Sequence, residues 1–176
     1  MKKIAVTADP LRIRIPRTVE HIHNYGKISR YFQGLVSHQI FATSCVNPKC
    51  SRKKAYLPPR ADCPECWEQT EWKLIGGNGA RGKIATFSVV NYPGAGYEED
   101  IERVGGKLPS VIVYVDFPGV DTKIMSRLEN CDPKSVFIGM EVEARFWQSA
   151  VPRRGATYTC LDLYFVPAAK NHSGGQ

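Results

Sequence analysis

Cys45-Val46-Asn47-Pro48-Lys49-Cys50, followed twelve residues later by Cys63-Pro64-Glu65-Cys66, decides how this chain of 176 residues is read. Zn2+ takes four thiolate or imidazole ligands in a tetrahedron, and each closely spaced cysteine pair supplies two sulfurs from one turn. Cys45, Cys50, Cys63 and Cys66 therefore read as the ligands of one structural zinc in a ribbon. A shell closed by four sulfurs leaves no position for substrate. The first knuckle has four intervening residues where two are usual, and Pro48 restrains how it folds back, so its supply of both ligands is a question for the structure. His38, seven residues before Cys45, is a minor substitute ligand. The competing reading is a pair of disulfides, which suits a secreted chain. The opening Met1-Lys2-Lys3-Ile4-Ala5-Val6 lacks the long apolar segment of a signal peptide, so reduced thiols in the cytoplasm are expected.

Composition narrows the classes. With 43% apolar residues, 12 Pro and 15 Gly, the chain favours short strands and turns around one modest core, with a metal-held satellite. It contains no apolar run of about 18 residues, so no membrane-spanning helix is expected. The formal charge is +7, and a zinc held by four thiolates brings this to about +5. Its distribution is uneven: residues 1–60 carry 12 Lys and Arg against Asp9 and Glu20, whereas residues 61–176 carry 12 against 15 acids. Only the N-terminal third can offer phosphate a basic face.

Five segments follow from the patterning. Residues 1–17 form an extended arm in which Leu11-Arg12-Ile13-Arg14-Ile15 alternates between Pro10 and Pro16. Residues 18–37 are helical: Ile22, Tyr25, Ile28, Phe32 and Leu35 make one stripe, Thr18 caps the start, Gly26 invites a break and Gly34 ends the helix. Residues 38–75 are the ribbon, with short strands at 40–42, 55–57 and 71–75, and with Trp67 and Trp72 expected to cover the metal cluster or the junction beyond it. Gly76-Gly77-Asn78-Gly79 reads as a break in regular structure. Residues 76–168 are then all β, with strands at 84–91, 111–117, 122–128, 140–147 and 158–167 and a helical turn opened by Asp132-Pro133-Lys134. Five strands with a helical turn between the third and fourth is the order of an OB-fold barrel. The loop at 92–109 is long enough to be functional, and residues 169–176 read as a disordered tail.

Catalytic motifs are scarce. Gly77-x4-Gly82-Lys83 has the spacing of a phosphate-binding loop, but Ile84 follows where a hydroxyl is needed for Mg2+, and a strand pattern follows where a helix is required. Cys131 and Cys160 need a base to act as nucleophiles, and His21, His23, His38 and His172 all lie outside the barrel strands; small buried hydrophobes are the expected role of both cysteines. Two residues apart, His21 and His23 point to different faces of a helix.

Tyr31-Phe32-Gln33-Gly34-Leu35, the two knuckles, Leu57-Pro58-Pro59-Arg60-Ala61-Asp62-Cys63-Pro64-Glu65-Cys66, the strand from Gly82-Lys83-Ile84 onward and Val136-Phe137-Ile138-Gly139-Met140 together resemble the DUF35 family. The resemblance implies a mainly β chain with an N-terminal α part: N-terminal helices, a rubredoxin-like zinc ribbon and a C-terminal five-stranded OB-fold barrel. It further implies a non-catalytic subunit of a hetero-oligomer, whose thiolase-fold partner carries the reactive residues and shares a CoA thioester with it. Similar proteins accompany acetyl-transferring thiolases, aldolases of steroid side-chain breakdown, and benzoylsuccinyl-CoA-type thiolases as the small subunit; the sequence does not choose among these.

Two functions remain in view. As an acyl-CoA scaffold, the chain would hold the thioester through Arg60, Arg81, Lys83 and Arg127, with Tyr92 and Tyr97 along the thioester arm, all chosen from loop position. As a nucleic-acid binder it would combine ribbon and barrel. However, residues 74–176 carry 11 basic and 11 acidic side chains, where single-strand-binding barrels need a positive groove, and Phe87, Tyr114, Phe146 and Tyr164 sit at positions where core is the default.

Overall fold

The computed structural model describes residues 25–51, 55–92, 108–146 and 163–169. The arm, the stretch before Tyr25, most of the loop at 92–109 with Tyr97, Cys160 and the tail beyond residue 169 lie outside the described residues.

A 3-10 turn, Gly26–Ile28, leads into one short helix, α1, at Ser29–Val36. Gly26 sits at φ +51, a left-handed conformation that glycine adopts without penalty, at the start of the 3-10 turn. Gly34 does not end the helix. A Cβ at Gly34 would lie 2.5 Å from the Phe41 ring, so its smallness lets β1 pass close to the helix. The stop falls instead at His38, at φ 56, whose amide donates to the Leu35 carbonyl. The helix buries Tyr31, Gly34 and Leu35 and leaves Phe32 half-buried, stacked on Tyr25 with ring centroids 3.7 Å apart.

The ribbon follows as β1 (Gln39–Cys45) and β2 (Thr70–Gly77), paired antiparallel from Gln39↔Gly77 to Cys45↔Thr70. Gly76 and Gly77 thus belong to a strand, contrary to the expected break. A Cβ on Gly77 would lie 2.7 Å from the His38 carbonyl oxygen, so bare backbone is needed for the two chains to approach. The turn proper is at Asn78 and Gly79, and the next strand leaves it directly.

The five remaining strands are β3 (Arg81–Val90), β4 (Ser110–Asp116), β5 (Ile124–Leu128), β6 (Glu141–Phe146) and β7 (Leu163–Pro167). They close into a barrel in the order β3-β4-β5-β7-β6, with β7 parallel to β5 and antiparallel to β6. A 3-10 turn at Pro133–Ser135, capped by Asp132 accepting from the Lys134 amide, joins β5 to β6. Closure of this kind leaves no exposed sheet edge. β-branched and aliphatic side chains point inward: Ile84, Val111, Val113, Val115, Ile124, Val142, Leu163 and Phe165 are all buried.

Ribbon and barrel share one core. Tyr31 and Leu35 of α1, Ile40 and Ala42 of β1, and Ala55 and Leu57 join the barrel residues in a single buried cluster. The joint is made by residues 55–60, which cross from the first knuckle to the second. The Ala55 amide donates to the Gly119 carbonyl, and the Asp121 amide donates to the Ala55 carbonyl. The Thr122 hydroxyl accepts from the Leu57 amide at 2.7 Å and donates to the Leu57 carbonyl at 2.9 Å. Residues 55–57, expected as a strand, make only isolated bridges, to Thr43 on one side and Val120 on the other.

Candidate metal centre

Both cysteine knuckles fold at one end of the β1–β2 ribbon, where Cys45 closes β1 and Cys66 precedes β2. In the first knuckle, the Cys50 amide donates to the Asn47 carbonyl at 3.1 Å and the Lys49 amide to the Asn47 side-chain oxygen at 2.9 Å. Asn47-Pro48-Lys49-Cys50 is therefore a tight turn started by an Asn side chain, with proline at the second position, where its fixed φ helps. The two extra residues are taken up in that turn, and Pro48 assists the fold-back it was expected to hinder. In the second knuckle, the Trp67 amide donates to the Cys63 carbonyl and the Cys63 amide to the Glu68 carbonyl, both at 2.8 Å.

Those turns gather the four Sγ atoms within 4.8 Å of one another. Two of the separations cross between knuckles: Cys45 to Cys66 at 3.5 Å and Cys50 to Cys63 at 3.8 Å. Zn–S bonds of about 2.3 Å give a tetrahedron with edges of about 3.8 Å. The donor set thus fits a metal such as zinc in number, chemistry and spacing, and all four thiols are free of disulfides. An ion here would stitch the two knuckles together, since each contributes two of the four sulfurs.

The electrostatics agree. Burial pushes the Cys45 thiol up to about 12, with the Asn47 amide pulling against it and the sulfurs of Cys66, Cys63 and Cys50 adding to it. Burial works against ionisation of Cys63 as well, but the Tyr56 hydroxyl and the Glu65 and Cys66 amides outweigh it and bring that thiol down to about 6.

Tyr56 is the residue the sequence did not reveal. It is 1% exposed, packs on Cys50 and Cys63, and its hydroxyl lies 3.4 Å from Cys63 Sγ. Trp67, expected to cover the cluster, is instead 81% exposed. Trp72 turns away to an edge-on contact with Phe41 at 6.3 Å, with the Arg30 guanidinium over both rings. A tyrosine six residues after a cysteine, just ahead of Leu-Pro-Pro, was the available signal; only the crossing path of residues 55–60 shows that it turns inward.

Thr43 and Thr70 hold that path. The buried Thr43 hydroxyl accepts from the Arg60 amide and donates to the Arg60 carbonyl, both at 2.9 Å, while Thr70 bonds to the Arg60 and Ala61 carbonyls. Pro58 and Pro59 bring no amide donor, so the polar anchoring falls on Arg60. Its guanidinium lies over the Tyr56 ring, 5.9 Å from the centroid. Beside it is a depression of about 210 Å3 lined in part by Lys27, Arg60, Thr70 and Trp72.

The other candidate contacts are dispersed. Arg81 and Lys83 lie on β3 facing carboxylates of β6, Arg81 to Glu143 at 3.2 Å and Lys83 to Glu141 at 3.8 Å. Arg127, on β5, is 7% exposed and pairs with Glu129 at 3.5 Å. Tyr92 is exposed at the end of the described part of its loop. His38 stacks on Phe146 at 5.2 Å, and Cys131 meets the Ser135 hydroxyl at 3.3 Å, so neither contributes to the sulfur cluster. Of the four aromatics weighed for base stacking, Phe146 is buried, Phe87 and Tyr164 are half-buried, and Tyr114 is 40% exposed. Among the described residues, no helix is long and apolar enough to cross a membrane.

A short helix, a ribbon ending in four gathered cysteines and a closed OB barrel define a two-part ribbon and barrel protein. Residues 78–147 match the family model for the C-terminal OB-fold domain of ChsH2. Over 91 residues, the chain is 35% identical to a DUF35 domain-containing scaffold protein of Methanocaldococcus jannaschii and 32% identical to one of Methanothermobacter thermautotrophicus. Those matches span 52% of this chain and 58% and 62% of the two relatives, somewhat under two thirds of their length. The fold is similar to that of the Ltp2-ChsH2(DUF35) aldolase, with a TM-score of 0.60 at 19% identity over 85% of this chain and 100% of that one. It is also similar to a DUF35 protein of unknown function from Sulfolobus solfataricus, with a TM-score of 0.52 at 19% identity over 81% and 87%. By sequence the chain is thus similar to DUF35 proteins over about half of its length, and its fold is similar to that of the two solved ones.

Proposed function

We propose that the chain is a non-catalytic subunit of a thiolase-type acyl-CoA enzyme complex, in which a ribbon held by one structural zinc docks on the catalytic partner and helps to position a CoA thioester. The observation that carries this reading is the match to two proteins named as DUF35 scaffolds. The Ltp2-ChsH2(DUF35) aldolase lends support, because its name joins a DUF35 chain to an enzyme. Cys45, Cys50, Cys63 and Cys66 would hold the ion, whose contribution is shape: it fixes two knuckles that have no large core of their own.

The chain's part in chemistry would be orientation. Holding a thioester in one pose against a partner's nucleophile removes an entropic share of the barrier. Among the candidate contacts, Arg60 is best placed, beside Lys27 and the Trp72 ring in an open depression that suits a phosphate and an adenine. Arg81 and Lys83 already face carboxylates, and Arg127 is buried against Glu129, so they would serve only by exchanging partners.

The test is to purify the tagged chain from its own cell, identify what accompanies it in fixed ratio, and measure zinc and acyl-CoA binding on the assembly. An acyl-CoA enzyme in stoichiometric amount, one zinc per chain and tighter thioester binding by the assembly than by either part are expected. Salt-sensitive micromolar binding to single-stranded DNA with no such enzyme present would replace this reading with the nucleic-acid one.

A further inference from the structure

The second knuckle ends on a residue that physical chemistry would not choose for stability. Trp67 follows Cys66 at φ 62, in the left-handed region where Cβ meets the backbone and where glycine is the ordinary solution. Its amide closes the knuckle onto Cys63, so the conformation is built into the metal-site loop. Among the described residues the large indole is little covered in return: it is 81% exposed. Val46, on the first knuckle, is 48% exposed and its amide is bonded to the Gln69 carbonyl, which brings the two knuckle tips side by side. Pro64 is exposed on the same second knuckle.

The sequence on either side of the indole is acidic, although Asp62 lies 3.9 Å from the Lys27 ammonium and Lys49 is exposed on the first knuckle. From Ala61 to Trp72 the sequence carries Asp62, Glu65, Glu68 and Glu71 and no lysine or arginine, in the half of the chain that is otherwise strongly basic up to Arg60. All four carboxylates are exposed. An exposed tryptophan flanked in sequence by the exposed carboxylates of Glu65 and Glu68, on a loop closed by backbone hydrogen bonds, has the form of an interface anchor: a stiff aromatic to fill a pocket, and a charged rim to set register and speed encounter.

We propose that the Trp67 knuckle is a docking anchor that inserts into an apolar slot rimmed by lysine and arginine on the chain's catalytic protein partner. The inference rests on the scaffold reading for the identity of that partner, but its geometry is independent of CoA. Left-handed strain is tolerated here because the indole serves the complex rather than the monomer.

The experiment uses the full chain and the protein that co-purifies with it in fixed ratio from its own cell, titrated by calorimetry against wild type, Trp67→Gly and the double variant Glu65→Lys, Glu68→Lys. Trp67→Gly is expected to keep one zinc per chain, to melt no lower than wild type, and to bind at least about thirtyfold more weakly. The double lysine variant should associate more slowly, with the loss shrinking as salt rises. Trp67→Phe should recover part of the affinity while keeping the strain. Unchanged affinity of a folded, zinc-loaded Trp67→Gly overturns the anchor and leaves the scaffold reading standing. A stoichiometric partner unrelated to acyl-CoA chemistry overturns the scaffold reading, while the Trp67 result is judged as before. A chain that co-purifies with no stoichiometric protein overturns both.

Discussion

At the scale of single residues, the cluster turns on a phenol. Tyr56 is fully inside, its hydroxyl 3.4 Å from Cys63 Sγ, and that contact helps to lower the Cys63 thiol. A bond from outside the ligand shell to a thiolate stabilises its charge and orients its lone pairs, and losing such a partner commonly costs ten- to a hundredfold in metal affinity. Tyr56→Phe keeps the ring that packs on Cys50 and Cys63 and removes only the donor. Competition with a chromogenic chelator should show zinc held about tenfold or more less tightly, with circular dichroism unchanged; equal affinity would mean that the hydroxyl is a packing passenger. The four cysteines were legible because their spacing alone encodes a ligand set. Tyr56 was not, because nothing in Lys54-Ala55-Tyr56-Leu57 distinguishes an inward tyrosine from an outward one until Thr43 and Thr122 fix the path of the backbone. Trp67 was misplaced for a related reason: apolar character predicts burial only when the backbone conformation can deliver it.

At the scale of elements, the strands were the most readable part, since inward-facing aliphatics alternate along most of them and Gly, Pro and Asp mark the turns. Less readable was the meaning of glycine. Gly77 and Gly82, whose spacing imitates a phosphate-binding loop, each sit where a backbone passes too close for a Cβ: 2.7 Å from the His38 carbonyl oxygen in one case, 2.7 Å from the Asp116 carbonyl oxygen in the other. At Gly82 the same Cβ would also meet Val115 Cγ1 at 2.5 Å, next to the first β3–β4 pair, Lys83↔Asp116, where Gly82 itself is paired with Val142 of β6. A single methyl there must displace main chain in a closed barrel, which cannot splay one strand without disturbing its neighbours. Gly82→Ala should therefore cost about 1–3 kcal/mol in urea unfolding, the range for overpacked cores. Stability within error of wild type would show that the β3–β4 pairing is looser than the register implies. In the helix, Leu35 of the expected stripe is buried and Phe32 packs half-buried against the core, while Tyr31, outside that stripe, is the second large buried side chain.

At the scale of the whole molecule, the question is whether ribbon and barrel melt as one body. A small ribbon with a metal is ordinarily its own folding unit, unfolded when the metal is removed. Here the residues joining the knuckles are also barrel residues in all but sequence position: Ala55 and Leu57 are completely buried in the shared core, and Thr122 returns both backbone bonds of Leu57. Free energy supplied at the sulfurs is thus passed to the barrel through a few short contacts. Calorimetry of the zinc-loaded chain should show one transition, and a strong chelator should move the whole of it down by roughly 10 °C or more, given the size of structural zinc affinities and the entropy of unfolding a chain of this length. Thr122→Val is the discriminating variant. It keeps the shape but strands the buried amide and carbonyl of Leu57, at a cost of about 1–3 kcal/mol each if water does not replace the lost bonds. If those bonds carry the coupling, chelation of Thr122→Val should separate a low ribbon transition from a barrel transition near its zinc-loaded value. A single, jointly shifted transition in the variant would place the coupling instead in the helix, through Tyr31 and Leu35 packed under β1.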